Sequence, residues 1–257
     1  MTQSDYHLSE DQIESYHRDG FLLVEDFFSP EEHQELVDIC NEISKWPDEK
    51  GKWMEYYERN TETGEKQLCR SENFTPFHDK MREYVCGPRI LNLLAKLNSD
   101  AEYVLFKEKI NYKLAGGGGF PAHQDAPAFI QFGQVTHVTA MFTIDPTTIA
   151  NGCLEVEKHD GSISRDWCEK HDWIPVETRP GCLLVFGAYL AHRSGTNKTD
   201  SSRKAVYLTY NQATEGDLRD HYYNEKRRLF PPISDREEGK DYSQGAVIYN
   251  LATPITE

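Results

Sequence analysis

Apolar and polar positions divide the chain into a helical first third, a strand-rich middle and a mixed end. Ser9-Glu-Asp-Gln12 and Ser29-Pro-Glu-Glu32 both have capping-box form, in which the serine hydroxyl accepts from a backbone N–H and the residue three positions on reaches back. Each predicts a helix start, and Pro30 suits a first helical turn. Between them FLLVEDFF, residues 21–28, is short and apolar and predicts a strand. A third helix is predicted over 88–97, where Ile90, Leu91, Leu94 and Leu97 recur at helical spacing.

From about residue 101 the texture changes. EYVLFKEKINYK (102–113), VTHVTAMFTI (135–144), CLEVE (153–157), WIPV (173–176), CLLVFG (182–187) and KAVYLTYN (204–211) are β-branched or aromatic and are separated by turn residues. After them GDLRDHYYNEKRRLFPP, residues 216–232, predicts a helix ended by two prolines, followed by a loop-rich tail. The expected organisation is one domain over 1–257, mainly β with flanking helices. It has a helical part to about residue 100, a β core over about 101–213, and a C-terminal helix and tail over about 214–257.

Charge narrows the partners. With 28 basic and 43 acidic residues, the formal charge of -15 repels nucleic acid and anionic membrane surfaces, so neither is expected as a partner. The KRR run at 226–228 is expected to be a solvated helix face. Six cysteines (Cys40, Cys69, Cys86, Cys153, Cys168, Cys182) show no C-x-x-C spacing, and the polar, acidic N-terminus has no apolar signal core. Both fit a reducing, cytoplasmic compartment. Apolar runs fall short of the roughly 18–20 residues of a membrane span. On the same grounds the sequons Asn73-Phe-Thr and Asn197-Lys-Thr are read as chance matches.

The candidate chemistry centres on GGGGFPAHQDAPAF, residues 116–129, where four glycines lead into His123-Gln-Asp125. On a strand, residues i and i+2 share a face, so both side chains reach one point; on a helix they diverge by about 200°. His17-Arg-Asp19 repeats the pattern at the end of the first predicted helix and is read as structural. A second organised histidine lies in PGCLLVFGAYLAHRSG (180–195), where a turn, a buried strand and a short connection precede His192. Two imidazoles and one carboxylate on one face of an octahedron leave three adjacent positions open, the ligand set used for non-haem Fe(II). Zinc would more often take three or four protein ligands in a tetrahedron, and calcium or magnesium more oxygens. Ser194 follows His192 by two, and Arg203 stands where the next strand begins and can project into the same barrel mouth. Its fork suits a carboxylate, to which a hydroxyl can add a bond.

The joint pattern H-x-D, then H-x-S-x-x-N-x-[ST]-x-x-x-R, is filled by His123, Asp125, His192, Ser194, Asn197, Thr199 and Arg203. It resembles the phytanoyl-CoA dioxygenase family of Fe(II)/2-oxoglutarate oxygenases, and the likeness extends to DGFLLVEDFFSPEE and ANGCLEV. The runs KEKINYKLAGGGGFPAHQDAPAF and YLTYNQATEGDLRDHYYNEKRRLFPP are most similar to a branch acting on 2-aminoethylphosphonate. The resemblance implies a double-stranded β-helix, a jelly roll of cupin-like form. It also implies that His123, Asp125 and His192 hold Fe(II), while Arg203 and Ser194 hold 2-oxoglutarate, with Lys109 or Asn111 as a further polar group. O2 would then drive hydroxylation of an unactivated C–H with release of succinate and CO2, and Asp125 favours hydroxylation over halogenation, because halogenating relatives lack that carboxylate. Two departures from the family pattern, Gly181-Cys182 and Val156-Glu-Lys-His-Asp160, touch no ligand. For the substrate, Arg70, Glu72, Asn73, Gln124, Arg219 and Tyr222 are the candidates. An acyl-CoA or secondary-metabolite substrate, a cupin-like metal enzyme that does not use 2-oxoglutarate, and a non-catalytic ligand-binding protein are the alternatives.

Overall fold

The two capping boxes form as predicted, each with both reciprocal hydrogen bonds, at the starts of α1 (Glu10–Asp19) and α2 (Pro30–Ile43). The computed structural model describes residues 6–157 and 172–249. The strand expected over 21–28 is half that length: β1 spans Phe21–Val24. Asp26, at φ 52°, then turns the chain. That turn drops Phe27 and Phe28 into the core, where the Phe28 ring meets Phe142 edge-on at 4.8 Å. The predicted third helix is α4 (Pro88–Leu97), preceded by a short α3 (Asp79–Cys86).

The first third also contains a hairpin that its charged sequence conceals. β2 (Met54–Arg59) and β3 (Lys66–Glu72) pair antiparallel, and several of their polar residues point inward; Glu55, Glu58, Arg70 and Glu72 are all buried. The other strands are β4 (Tyr103–Lys113), β5 (Phe120–His123), β6 (His137–Thr143), β7 (Leu154–Val156), β8 (Ile174–Val176), β9 (Leu183–Gly187), β10 (His192–Ser194) and β11 (Arg203–Gln212). Two antiparallel sheets result. One has seven strands in the order β1-β9-β6-β11-β4-β3-β2, the other four in the order β5-β10-β7-β8. Together they make the jelly roll, with the site between them. The main hydrophobic core lies on the outer face of the large sheet under α1 to α4, and a smaller one (Met141, Leu154, Val156, Leu184, Phe186, Ala205) fills the space between the sheets.

At the other end, α5 (Arg219–Leu229) stops before Pro231-Pro232 as predicted, but the tail is not all loop: α6 (Ser243–Tyr249) packs back on α5. The KRR run is not a solvated face either. Lys226 is 1% exposed and paired with Glu72, Arg227 pairs with Asp235, and only Arg228 faces solvent. A cation there is tolerated because a buried carboxylate from β3 meets it. The side chain of Asn197 is buried and donates to the carbonyls of Lys113, Leu114 and Ser201, so that sequon is a structural asparagine. Among the described residues no helix is long and apolar enough to cross a membrane, and the five described cysteines are all free.

Glu55 links this fold to pH. It is buried, accepts from Ser71 Oγ at 2.6 Å, and its second oxygen has no partner among the described residues. Burial pushes its pKa from 4.5 up to about 8. A raised carboxyl pKa means the folded state holds the proton more tightly than the unfolded one. Stability is therefore full below about pH 4.5 and is lost as pH rises towards 8. Glu55→Gln removes that loss, which is on the order of a few kcal/mol. In thermal melts the variant should match the parent near pH 5 and melt roughly 5–10 °C higher at pH 9; equal melting at both pH values would mean the carboxyl ionises freely.

Candidate metal centre

His123 closes β5, and its Cα partner on the adjacent strand is His192, the first residue of β10. This cross-strand pairing brings the two rings to 4.2 Å between centroids, although 68 residues separate them in the chain. Asp125 joins them differently from the expected strand geometry. The strand ends at His123, and Asp125 has helical dihedrals (φ -75°, ψ -35°) where the chain turns into a 3-10 helix at Ala126. Convergence of i and i+2 thus comes from a strand end plus a turn. The result is what the spacing required: one ligand atom from each of His123, Asp125 and His192, all within 4.8 Å of one another. In α1, by contrast, Asp19 bonds to Arg18 and Ser15 and makes no such group with His17.

The immediate surroundings fit a metal. Each histidine Nδ1 lies against a backbone carbonyl, Pro121 O at 2.7 Å for His123 and Leu190 O at 3.0 Å for His192. Those carbonyls fix the proton on Nδ1 and leave the Nε2 lone pairs facing the triad. Thr139 Oγ1 donates to Asp125 Oδ2 at 3.3 Å. Burial, with the neighbouring His192, lowers His123 to about 4, so it is neutral at neutral pH. For Asp125 burial acts upward, but His192, Lys107, His123 and Lys109 outweigh it and hold the carboxyl well below its usual range. A neutral His123 beside an ionised Asp125 is in the protonation state that binding of a divalent metal requires.

A β-bulge sets the rest of the wall. Along β11, Thr209 faces Lys107 and Tyr210 faces Leu105, leaving Phe106 as the extra residue of β4. The bulge shifts the parity of the strand, as one inserted residue must. Tyr103 and Leu105 point to the helical core, and after the bulge Ile110 and Tyr112 do. Lys107, Lys109, Asn111 and Lys113 are thereby turned to the inner face as one polar stripe. The first three line a cavity of about 450 Å³ with His123, Asp125 and His192. A second cavity of about 460 Å³ shares Lys107, Lys109, Phe120, His123 and Asp125 with it and adds Arg70, Tyr222 and Tyr249.

At the far end of the stripe, Arg203 opens β11 directly opposite Lys113. The Arg203 side chain is set behind the mouth rather than in its lining. It is 1% exposed, lies outside the cavity lining, gives Nη2 to the Gly152 carbonyl, and leaves Nε without a partner among the described residues. Lys113 Nζ donates to Ser194 Oγ at 2.9 Å and Gly195 O at 2.6 Å. Burial, then the Arg203 charge, lowers Lys113 to about 7. Two like charges face each other across a ladder here, an arrangement that costs stability unless an anion joins them.

One glycine of the run, Gly119, serves this end. A Cβ on Gly119 would lie 2.5 Å from Ser194 O, and one on Gly152, at φ +72°, 2.2 Å from Gly195 O. Both glycines let backbone pass against the end of β10. Of the substrate candidates, Arg70 and Tyr222 line the second cavity. Glu72 is buried behind Arg70 on Lys226, and Asn73 with Arg219 belongs to a structural cluster around Glu108. Gln124 donates to the Tyr189 carbonyl. Sequence reasoning missed Lys107, Lys113 and Thr139; the alternation of polar residues in KEKINYK was the available signal for the first two. The Val156-Glu-Lys-His-Asp160 departure runs past residue 157, and its end lies outside the described residues.

Comparisons with known proteins place the chain in a family. The family model described as phytanoyl-CoA dioxygenase (PhyH) matches residues 16–205. A 2-aminoethylphosphonate dioxygenase from an uncultured bacterium is 40% identical over 97% of this chain and 99% of its own. A methylphosphonate hydroxylase from Gimesia maris is 38% identical, covering 88% of this chain and 89% of its own. Among solved structures, EctD from S. alaskensis with 2-oxoglutarate and 5-hydroxyectoine superposes with a TM-score of 0.70 at 20% identity, over 81% of this chain and 77% of that one, and so shares its fold. With the model spanning most of its length and relatives aligned along nearly all of it, the chain belongs to the phytanoyl-CoA dioxygenase family, a family of enzymes.

Proposed function

We propose that the protein hydroxylates a C–H bond of a small organophosphonate, 2-aminoethylphosphonate or a close analogue, using Fe(II), 2-oxoglutarate and O2 and releasing succinate and CO2. The observation that carries the reading is a two-histidine, one-carboxylate triad exposed on one side to a cation-lined cavity. The alignment with the 2-aminoethylphosphonate and methylphosphonate enzymes supports the substrate class. Residues from the N-terminal third, the β core and the C-terminal helices all line the paired cavities, which supports one catalytic unit over the chain. Free cysteines fit a reducing cytoplasm.

His123, Asp125 and His192 would hold the iron. Arg203, Ser194 and Lys113 would hold the distal carboxylate of 2-oxoglutarate, for which the orphaned Arg203 Nε is a suited donor. Asn111 lies between that end and the triad. Bound together with O2, metal and cosubstrate supply the oxidising power for C–H cleavage. The protein's own part is orientation and exclusion of water. The carbonyls of Pro121 and Leu190 keep both Nε2 atoms aimed at one point, Thr139 steadies Asp125, and Phe120, Phe129 and Phe186 provide a dry wall.

The test is succinate release with Fe(II), 2-oxoglutarate, ascorbate and air. 2-Aminoethylphosphonate or methylphosphonate should stimulate it about tenfold or more over the uncoupled rate, and acyl-CoAs should not. Stimulation by an acyl-CoA with none by either phosphonate would overturn the substrate assignment.

A further inference from the structure

The inner face of the large sheet carries more positive charge than the metal and cosubstrate ends use. Lys107 and Lys109 border both cavities, and Arg70, directly opposite Asn111 on the neighbouring strand, borders the second. We propose that Arg70, Lys107 and Lys109 form a second anion subsite, beside the triad and apart from Arg203 and Lys113, that seats a tetrahedral dianion of the substrate; naming that dianion a phosphonate rests on the function proposed above.

Arg70 gives Nε to Asn111 Oδ1 at 3.2 Å, and Nη1 to Glu72 Oε1 at 3.3 Å and to the Tyr249 carbonyl at 3.5 Å. Glu72 also meets the buried ammonium of Lys226. Lys107 and Lys109 make no ion pair among the described residues. Lys107 Nζ lies 4.5 Å from the Phe129 ring centroid and Lys109 Nζ 5.1 Å from that of Tyr207. Burial lowers both lysines, and for Lys109 the charges of Arg70 and Lys107 add to it. Cations gathered in a partly dry cavity whose described lining carries a single carboxylate, Asp125, are costly unless an anion arrives. That carboxylate belongs to the triad. Three donor groups from two strands suit the three oxygens of a phosphonate better than the two of a carboxylate. Phe120, Phe129, Tyr222 and Tyr249 around them exclude water and strengthen each contact.

Anaerobic titration calorimetry of the protein loaded with Fe(II) and 2-oxoglutarate tests this, with methylphosphonate and inorganic phosphate as probes. Lys107→Met and Lys109→Met should each weaken binding of both probes about tenfold or more, while 2-oxoglutarate affinity stays within about twofold. Arg70→Gln should lose more than Arg70→Lys, which keeps the charge opposite Glu72. If a methionine variant does not fold, the glutamine variant at that position gives the same comparison. Probe binding at parental strength in the lysine variants, a matching loss for 2-oxoglutarate, or no probe binding by the parent below about 10 mM would each overturn the subsite. Loss confined to the probes, with no phosphonate stimulating succinate release, would uphold the subsite and remove phosphonates as substrates.

Discussion

Asp125→Ala is expected to cut substrate-dependent succinate formation by at least about a thousandfold, which is roughly 4 kcal/mol of barrier. The fall follows from its position. Asp125 is the one carboxylate in the triad, and without it two neutral imidazoles offer no charge to a divalent cation. Anaerobic equilibrium dialysis should show Fe(II) binding weakened in step with turnover. Because the Asp125 side chain makes no capping bond to the 3-10 turn it precedes and only accepts from Thr139, folding should survive, with near-parental melting as the control. Undiminished product formation by this variant would refute the assignment of the metal site.

Arg203→Leu is the second large effect. With its Nε already lacking a protein partner, the guanidinium contributes little that the fold itself uses beyond one bond to Gly152 O. Its removal should raise the KM for 2-oxoglutarate on the order of a hundredfold, as expected for losing a buried, charge-assisted pair. Arg203→Lys should recover part of the loss, since a lysine restores charge but not the fork. The same variant separates this enzyme from a metal-dependent cupin that uses no cosubstrate. In that case Arg203→Leu would leave both turnover and its 2-oxoglutarate dependence unchanged.

The grouping of His123, Asp125 and His192 was legible because each of its two motifs is local. His-x-Asp at a strand end and a histidine opening the strand before Arg203 fix the triad through pairing rules, and β5 and β10 pair at those two histidines. The capping boxes of α1 and α2 were legible for the same reason, each being complete within four residues. The hairpin of β2 and β3 was not. Its inward residues include Glu55, Glu58, Arg70 and Glu72, whose burial makes sense only once Ser71, Lys226 and Asn111 have been brought to them by the fold. Lys226 misled for the mirror reason: within KRR it reads as solvated, and its partner Glu72 lies 154 residues away. The bulge at Phe106 decides which face of β4 carries the lysines, and it is set by the register against β11. Long-range register, unlike local capping, leaves little trace in a single sequence.

The most direct measurement is an anaerobic crystal structure of the protein with Fe(II) and 2-oxoglutarate. It should show one iron bonded to the Nε2 atoms of His123 and His192 and to Asp125, with the distal carboxylate of the cosubstrate against Arg203. An iron saturated by four or more protein atoms, or a cosubstrate bound away from Arg203, would contradict the account.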